Sequence, residues 1–282
     1  MITLSEIIFY PVKSCAGMSV PHAQLTEAGL EVDGVADREW MVVTDDGQFL
    51  TQREHPRMAL VTPRLRDGVL VLGAPGQATL AVAVRQAGTG GASREVRLWD
   101  DTLVAEDCGD AAANWFSQAI GARCRLVRFP AGARRLTSTR WTGGVAAPTR
   151  FADGYPVLVI GAASLADLND KLVAVGRAAL PMDRFRPNLV IDGLGPFEED
   201  YADTFELGGV RLKALKPCPR CPIPSVDQAT GVPGADPLDI LQAYRRKPQL
   251  DGAVCFGMHC IVSAGAGRHL LVGQQVDAEL AF

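Results

Sequence analysis

The sequence predicts an α+β fold dominated by strands. Short β-type runs broken by Asp-Gly and Pro-Gly turns recur along the chain. Helical patterns are few and irregularly inserted, at 109–122, 164–176 and 236–247. No regular strand–helix alternation, which would signal a parallel sheet, is present, and this favours a barrel-like architecture. The 282 residues suffice for one large domain or two ordinary ones. The change in pattern near residue 122 divides them into 1–122 and 123–282.

In the first part, REWMVVTDDGQFLTQ (38–52) reads as two β-type runs around Asp45-Asp46-Gly47. PRLRDGVLVL (63–72) repeats this around Asp67-Gly68, and GAPGQATLAVAV (73–84) adds a Pro-Gly turn and another run. GTGGAS (88–93) reads as a flexible loop, and EVRLWDDTLVAEDCG as two more strands. GDAAANWFSQAIGA (109–122) reads as a helix with an apolar Trp115/Phe116 side and Gly121 as its stop.

RCRLVRFP (123–130) opens the second part as a strand, followed by a basic, Gly-rich loop at 131–152 whose length marks it as mobile or functional. YPVLVIG (155–161) reads as a buried strand. SLADLNDKLVAVG (164–176) has Ser164 and Asp167 in capping-box spacing, with Leu165, Leu168, Leu172 and Val175 on one side. NLVIDG (188–193) and TFELGGVRLKAL (204–215) read as strands. DPLDILQAYRRK (236–247) reads as a helix with Asp236 as cap, Pro237 at its first position and a basic end. CFGMHCIVSAG and RHLLVGQQVDAEL close the chain as strands.

Nearly half the residues are apolar and the net charge is −4, so neither nucleic acid nor an anionic membrane surface is an expected partner. No transmembrane helix or signal peptide is predicted. Seven cysteines, an odd number scattered over the chain, do not make a disulfide framework, and a reducing, cytoplasmic setting is expected. Cys15, Cys108, Cys124, Cys255 and Cys260 are read chiefly as core thiols.

The segment KPCPRCPIPSVD (216–227) holds Cys218 and Cys221 among four prolines. The C-x-x-C spacing is compatible with a zinc half-site, a redox dithiol, a disulfide or a thiolate ligand for another metal. A thioredoxin-type pair needs its first cysteine at a helix N-terminus. Four prolines oppose a helix through Cys218–Pro224 and predict a stiff, extended loop. Three further stretches concentrate polar residues: YPVKSCAG (10–17) with Lys13 and Ser14, ADREW (36–40) with Arg38, and DRFRPNLV (183–190) with Arg186 and Asn188.

With FADGYP (151–156), ASLADLN (163–169), VD-x-x-TG (226–231) and a late FG, these motifs keep a recognisable order over some 250 residues. The chain resembles the MOSC-domain family in its two-part form, with an N-terminal MOSC β-barrel-like domain before a MOSC β-barrel domain with inserted helices. That group includes the amidoxime-reducing component of mitochondria and bacterial reductases of N-hydroxylated compounds. The resemblance implies a molybdenum ion on a pterin dithiolene (molybdenum-molybdopterin), with Cys221 as metal ligand and catalytic residue and Pro219 and Arg220 cradling the cofactor. It places Lys13, Ser14, Arg38 and Arg186 on the cofactor's phosphate, with the first strand and Lys13 contributing to the site. It makes Asn188 a polar partner of the ring system and puts Gly154 and Tyr155 on cofactor-facing positions. His259 stands where relatives carry an aromatic residue near the cofactor.

The implied activity is an oxidoreductase that removes oxygen from small N-oxygenated substrates. No C-x4-C-x2-C cluster follows Cys260, so the electrons are expected from a separate ferredoxin, flavoprotein or haem protein. A non-catalytic carrier of the cofactor or of sulfur is the alternative, and pyridoxal phosphate is not expected. A third reading joins Cys218 and Cys221 with His259 and Cys260 in a structural zinc site, against which adjacent strand residues point to opposite faces. Asp37 and Asp183 are read as partners of the neighbouring arginines, Cys218 as a structural thiol, and His22, His55, His269 and the four tryptophans as solvated, packing or pocket-lining residues.

Overall fold

A computed structural model describes residues 1–84 and 91–281. Strands account for 41% of it and helices for 17%, so the fold is α+β and predominantly β. The turns form where their residues allow. Asp67 and Gly68 take left-handed backbone, φ 49° and 73°, and join Thr62–Arg66 to Val69–Gly73 in a two-residue hairpin. Leu80–Ala83 adds a third strand. The expected loop at 88–93 lies at 88–90 outside the described residues, and Ser93 already opens the strand Ser93–Leu98.

The largest sheet runs Met18–Val20, Thr3–Phe9, Leu189–Asp192, Val157–Gly161, Ala253–Ala264, Val210–Pro219, Ala202–Leu207 and Asp277–Leu280, with Arg246–Lys247 on a side path. It draws its first two strands from the N-terminal end of the chain. Only Val157–Gly161 and Leu189–Asp192 pair in parallel within it, and the helix Ala162–Ala174 makes that crossover. Alternation along Val157–Gly161 sends Val157 and Val159 into the main core and Leu158 and Ile160 to the other side, against Leu168 and Leu172 of the helix.

A four-stranded sheet, Ser93–Leu98, Asp101–Asp107, Arg125–Arg128 and Trp40–Val43, covers a smaller core with Phe129 and Phe151. Another joins His269–Leu271 to His22–Thr26, Gly29–Val32 and Val35–Ala36. The helix Asp110–Ile120 ends on left-handed Gly121 at φ 75°, as expected, with Phe116 in the main core.

Several expectations are corrected. The second helix begins at Ala162, capped by Gly161. Ser164 is not its cap, because its buried hydroxyl donates to Glu199 Oε2 at 2.7 Å and accepts the Phe197 N–H at 2.7 Å. Val175 lies past the helix end and is exposed. The third helix shrinks to Leu238–Leu241. Asp236 does accept the Leu238 N–H at 3.0 Å, but Arg246–Lys247 pairs with Ala253–Ala264 as a strand. The basic loop is pinned, since Arg135–Leu136 pairs with Pro148–Thr149.

Candidate functional site

The CPRC segment is the hinge between a strand and a turn. Val210–Pro219 carries Cys218 and Pro219 to its end, and Arg220 donates its backbone N–H to Val254 at 2.8 Å. Cys221 stands in the loop beyond. A 3-10 turn, Ile223–Ser225, follows, so the extended loop is shorter than the prolines predict, although no α-helix forms there. The two thiols consequently differ. Cys218 is buried in the apolar cluster of Leu158, Phe185 and Phe256, where burial raises its pKa although Arg220 Nη1 donates to its sulfur at 3.4 Å. Cys221 is half-buried.

Both thiols border a cavity of about 110 Å³. Lys13, Ser14, Arg38, Tyr155, Arg186, Asn188, Pro219, Arg220, Cys221 and His259 all line it. Of the residues expected at the site, Gly154 alone is not on the lining, although its neighbours Asp153 and Tyr155 are. A larger cleft of about 780 Å³ shares Arg186 but contains none of the other expected residues. Size alone would have selected the cleft. The smaller cavity is the better candidate because it joins a sulfur to several cations.

Backbone geometry brings these side chains together. Arg38 donates its N–H to Tyr10 O at 2.7 Å and Lys13 to Trp40 O at 2.8 Å, zipping the PVKS turn to the ADREW segment. Arg186 follows the 3-10 turn Met182–Phe185 as its left-handed end. Asn188 ties strands together: its Oδ1 accepts the Leu158 N–H at 3.2 Å and its Nδ2 donates to Ile8 O at 3.4 Å. Eight non-glycine residues among those described have left-handed backbone. Three of them, Ser14 (φ 62°), Arg38 (φ 51°) and Arg186 (φ 55°), line this cavity. Each such conformation costs on the order of 1–3 kcal/mol and persists where the surroundings over-determine it.

The electrostatics are equally concentrated. Arg38 and Arg186 sandwich the Tyr10 ring, at 4.3 and 4.4 Å from its centroid. Burial pushes the Tyr10 phenol up to about 12 and pulls the Lys13 ammonium below its ordinary range, the latter opposed by Asp153. Asp37 pairs with Arg38, as expected; Asp183 gives the Arg186 N–H a backbone carbonyl at 3.2 Å instead of an ion pair. Arg186 Nη1, Arg220 Nε and His259 Nδ1 are buried without a hydrogen-bond partner. Unsatisfied buried nitrogens beside a half-buried thiol are the chemistry an anionic, metal-bearing group would complete.

Sequence reasoning missed Asp153, Tyr10 and Phe185. Asp153 lay in plain view within FADGYP, but its partner Lys13 is 140 residues away. The zinc arrangement does not form: Cys260 is sealed in the main core while His259 faces the cavity. No helix among the described residues is long and apolar enough to cross a membrane.

Residues 1–123 match the family model described as the MOSC N-terminal beta barrel domain, and residues 147–277 match the MOSC domain. Mitochondrial amidoxime reducing component 2 of Rattus norvegicus is 35% identical over 249 residues, 86% of this chain and 72% of that protein. Mitochondrial amidoxime-reducing component 1 of Homo sapiens is 33% identical over 248 residues, with the same coverage. Molybdenum cofactor sulfurase of Oryza sativa subsp. japonica is 33% identical over 98% of this chain but only 35% of its own length. By these sequence matches and the order of its motifs, the chain belongs to the MOSC-domain family, in the form that begins with the N-terminal MOSC barrel domain.

Proposed function

We propose that the chain binds a molybdenum ion on a pterin dithiolene and reduces N-hydroxylated compounds, with electrons from a separate redox protein. The observation that carries this is one cavity shared by the half-buried Cys221 and the buried Arg186, whose guanidinium has no carboxylate in ion-pair contact among the described residues. The residues fit the group. A thiolate suits a soft metal, and the orphaned nitrogens of Arg186, Arg220 and His259 have hydrogen-bonding capacity that nothing among the described residues takes up.

When bound, the group supplies the two-electron centre for taking oxygen from an N–O bond. The chain's own part is positional and electrostatic. Cys221 would be the metal ligand and Lys13 and Arg186 would neutralise the anionic end, while Arg220 fixes the loop by donating to Phe185 O at 2.8 Å. At about 110 Å³ the cavity falls below the ~300 Å³ of an ordinary small-molecule pocket, so it encloses part of such a group rather than all of it.

The match to molybdenum cofactor sulfurase over nearly the whole chain favours a second reading, a carrier that holds the cofactor or a sulfur without turnover. Metal analysis of the purified protein, followed by benzamidoxime reduction with an artificial reductant, separates the two. Molybdenum with many turnovers per metal supports the enzyme, and molybdenum with one turnover or none supports the carrier. Zinc in place of molybdenum would sink both.

A further inference from the structure

Four cations border the cavity; Arg220 is tied to Phe185 O and Cys218 Sγ, and the other three differ in what neutralises them. Arg38 is paired with Asp37, whose carboxylate is 2% exposed and also accepts the Tyr10 backbone N–H at 2.8 Å. That pair is locked into the wall. Arg186 has no carboxylate in ion-pair contact among the described residues. Lys13 is the intermediate case: its side chain is 5% exposed and its ammonium lies 2.5 Å from Asp153 Oδ1, yet the Asp153 side chain is 64% exposed.

Asp153 has a second hold outside the lining. Trp99 Nε1 donates to the same oxygen at 3.1 Å. Trp99 has left-handed backbone (φ 56°), and its ring packs on Phe49 at 4.9 Å and under the Arg53 guanidinium at 4.7 Å. Arg135, itself buried, fixes the backbone of this loop. It donates to the carbonyls of Arg150 at 2.8 Å, Ala152 at 2.6 Å and Asp153 at 3.3 Å, and to Asp101 Oδ2 at 2.7 Å. The loop is therefore fixed while the carboxylate faces water. The surrounding protein still penalises the Asp153 charge, but with most of its side-chain surface open to water it gives up a partner at smaller desolvation cost than a sealed carboxylate such as Asp37.

We propose that Asp153 is an exchangeable counter-ion: a ligand oxyanion takes its place on Lys13, so that Lys13 and Arg186 grip the anion while Arg38 remains a fixture of the wall. This rests on the reading above and deepens it, naming the cations that hold the ligand's acidic end and the residue that competes for one of them. After exchange, Asp153 keeps its bond from Trp99.

The test uses inorganic phosphate, titrated calorimetrically into the metal-free chain at fixed ionic strength. Asp153→Asn removes the competitor and should lower the phosphate dissociation constant on the order of tenfold, as expected when the competent fraction of sites rises by that factor. Asp153→Glu, which keeps the charge, should stay within about threefold of the parent. On a Lys13→Met background, Asp153→Asn should no longer change affinity. In the parent chain, phosphate should shift the emission of Trp99, read as the difference from Trp99→Phe.

Phosphate binding by Asp153→Asn equal to or weaker than the parent's would overturn the proposal and make Asp153 a strut for Lys13. So would a silent Trp99, a result that does not depend on the Asp153 variants folding. Because phosphate needs no molybdenum, the outcome is independent of metal content and turnover.

Discussion

Two pairs of like residues, Arg184/Arg186 and Cys218/Cys221, contrast a partner that builds the frame around the cavity with one that faces into it. Arg184 is buried and mostly occupied: although its Nε is unpartnered, it donates to the carbonyls of Pro224 at 3.3 Å and Ser225 at 3.1 Å and ion-pairs with Asp227 Oδ2 at 2.6 Å, anchoring the turn after Cys221. Arg186, two residues on, is equally buried and has an orphaned Nη1. Cys218 packs among apolar side chains, whereas Cys221 faces the cavity half-buried. In each pair one residue builds the frame and the other is left over for a ligand. Residue type does not separate the two roles; the bonds already made do.

The sharpest break of this contrast is at the thiols. Cys221→Ala should cut molybdenum per chain by at least about tenfold, since even outer-shell partners of a metal are worth ~10–100-fold in affinity. Cys218→Ala should keep molybdenum within about twofold while costing ~1 kcal/mol of stability through lost packing. Elemental analysis with denaturant unfolding measures both, and equal metal loss in the two variants would erase the distinction.

The arginines should differ in sign. Arg184→Met removes charge-assisted bonds to Pro224 O, Ser225 O and Asp227 and leaves Pro224 O without its partner, and should destabilise the chain by about 2 kcal/mol. Arg186→Met removes a buried charge without an acid partner and should raise the stability of the cofactor-free chain by ~1–2 kcal/mol, while weakening cofactor retention. Loss of stability in both would mean that Arg186 already has a structural partner.

The last test is read from pH dependence and concerns His259. Burial, with Lys216 and Arg220 adding repulsion, pushes it from an ordinary 6.5 down to about 3. Between those values the unfolded chain binds a proton that the folded chain refuses. Stability is therefore full above neutrality and falls as pH drops through this window, with a slope of up to ~1.4 kcal/mol per pH unit from this group. His259→Gln should flatten that part of the stability–pH curve, and an unchanged slope would place the proton elsewhere.

Much of the fold was legible because its signals are local. Asp67-Gly68 can form a tight turn wherever it occurs, and Gly121 can end a helix with no information from the rest of the chain. Errors arose where a distant partner overrode a local preference. The 236–247 stretch has a helix's cap and charge pattern, but Arg245 donates to Asp200 at 2.6 Å and Arg246–Lys247 is drawn into a strand pair. The basic loop at 131–152 looked free because nothing nearby in sequence reveals that Arg135 reaches Asp101. The cavity residues were legible only as a set, through the family resemblance. Taken singly, Lys13 and Arg186 look like any surface cation, and only the resemblance, not the local sequence pattern, set Arg186 apart from Arg184.

The strand Thr3–Phe9 lies between Met18–Val20 and Leu189–Asp192, and the Ser5 hydroxyl donates to Val190 O across 185 residues. This strand gains its neighbour Leu189–Asp192 only when both stretches are present. Contacts of such long sequence separation close slowly. Lys13 and Arg38 meet Arg186 and Cys221 across well over a hundred residues of sequence, so neither stretch alone makes the cavity. A fragment that starts beyond this strand would bare a hydrophobic sheet edge and tend to aggregate.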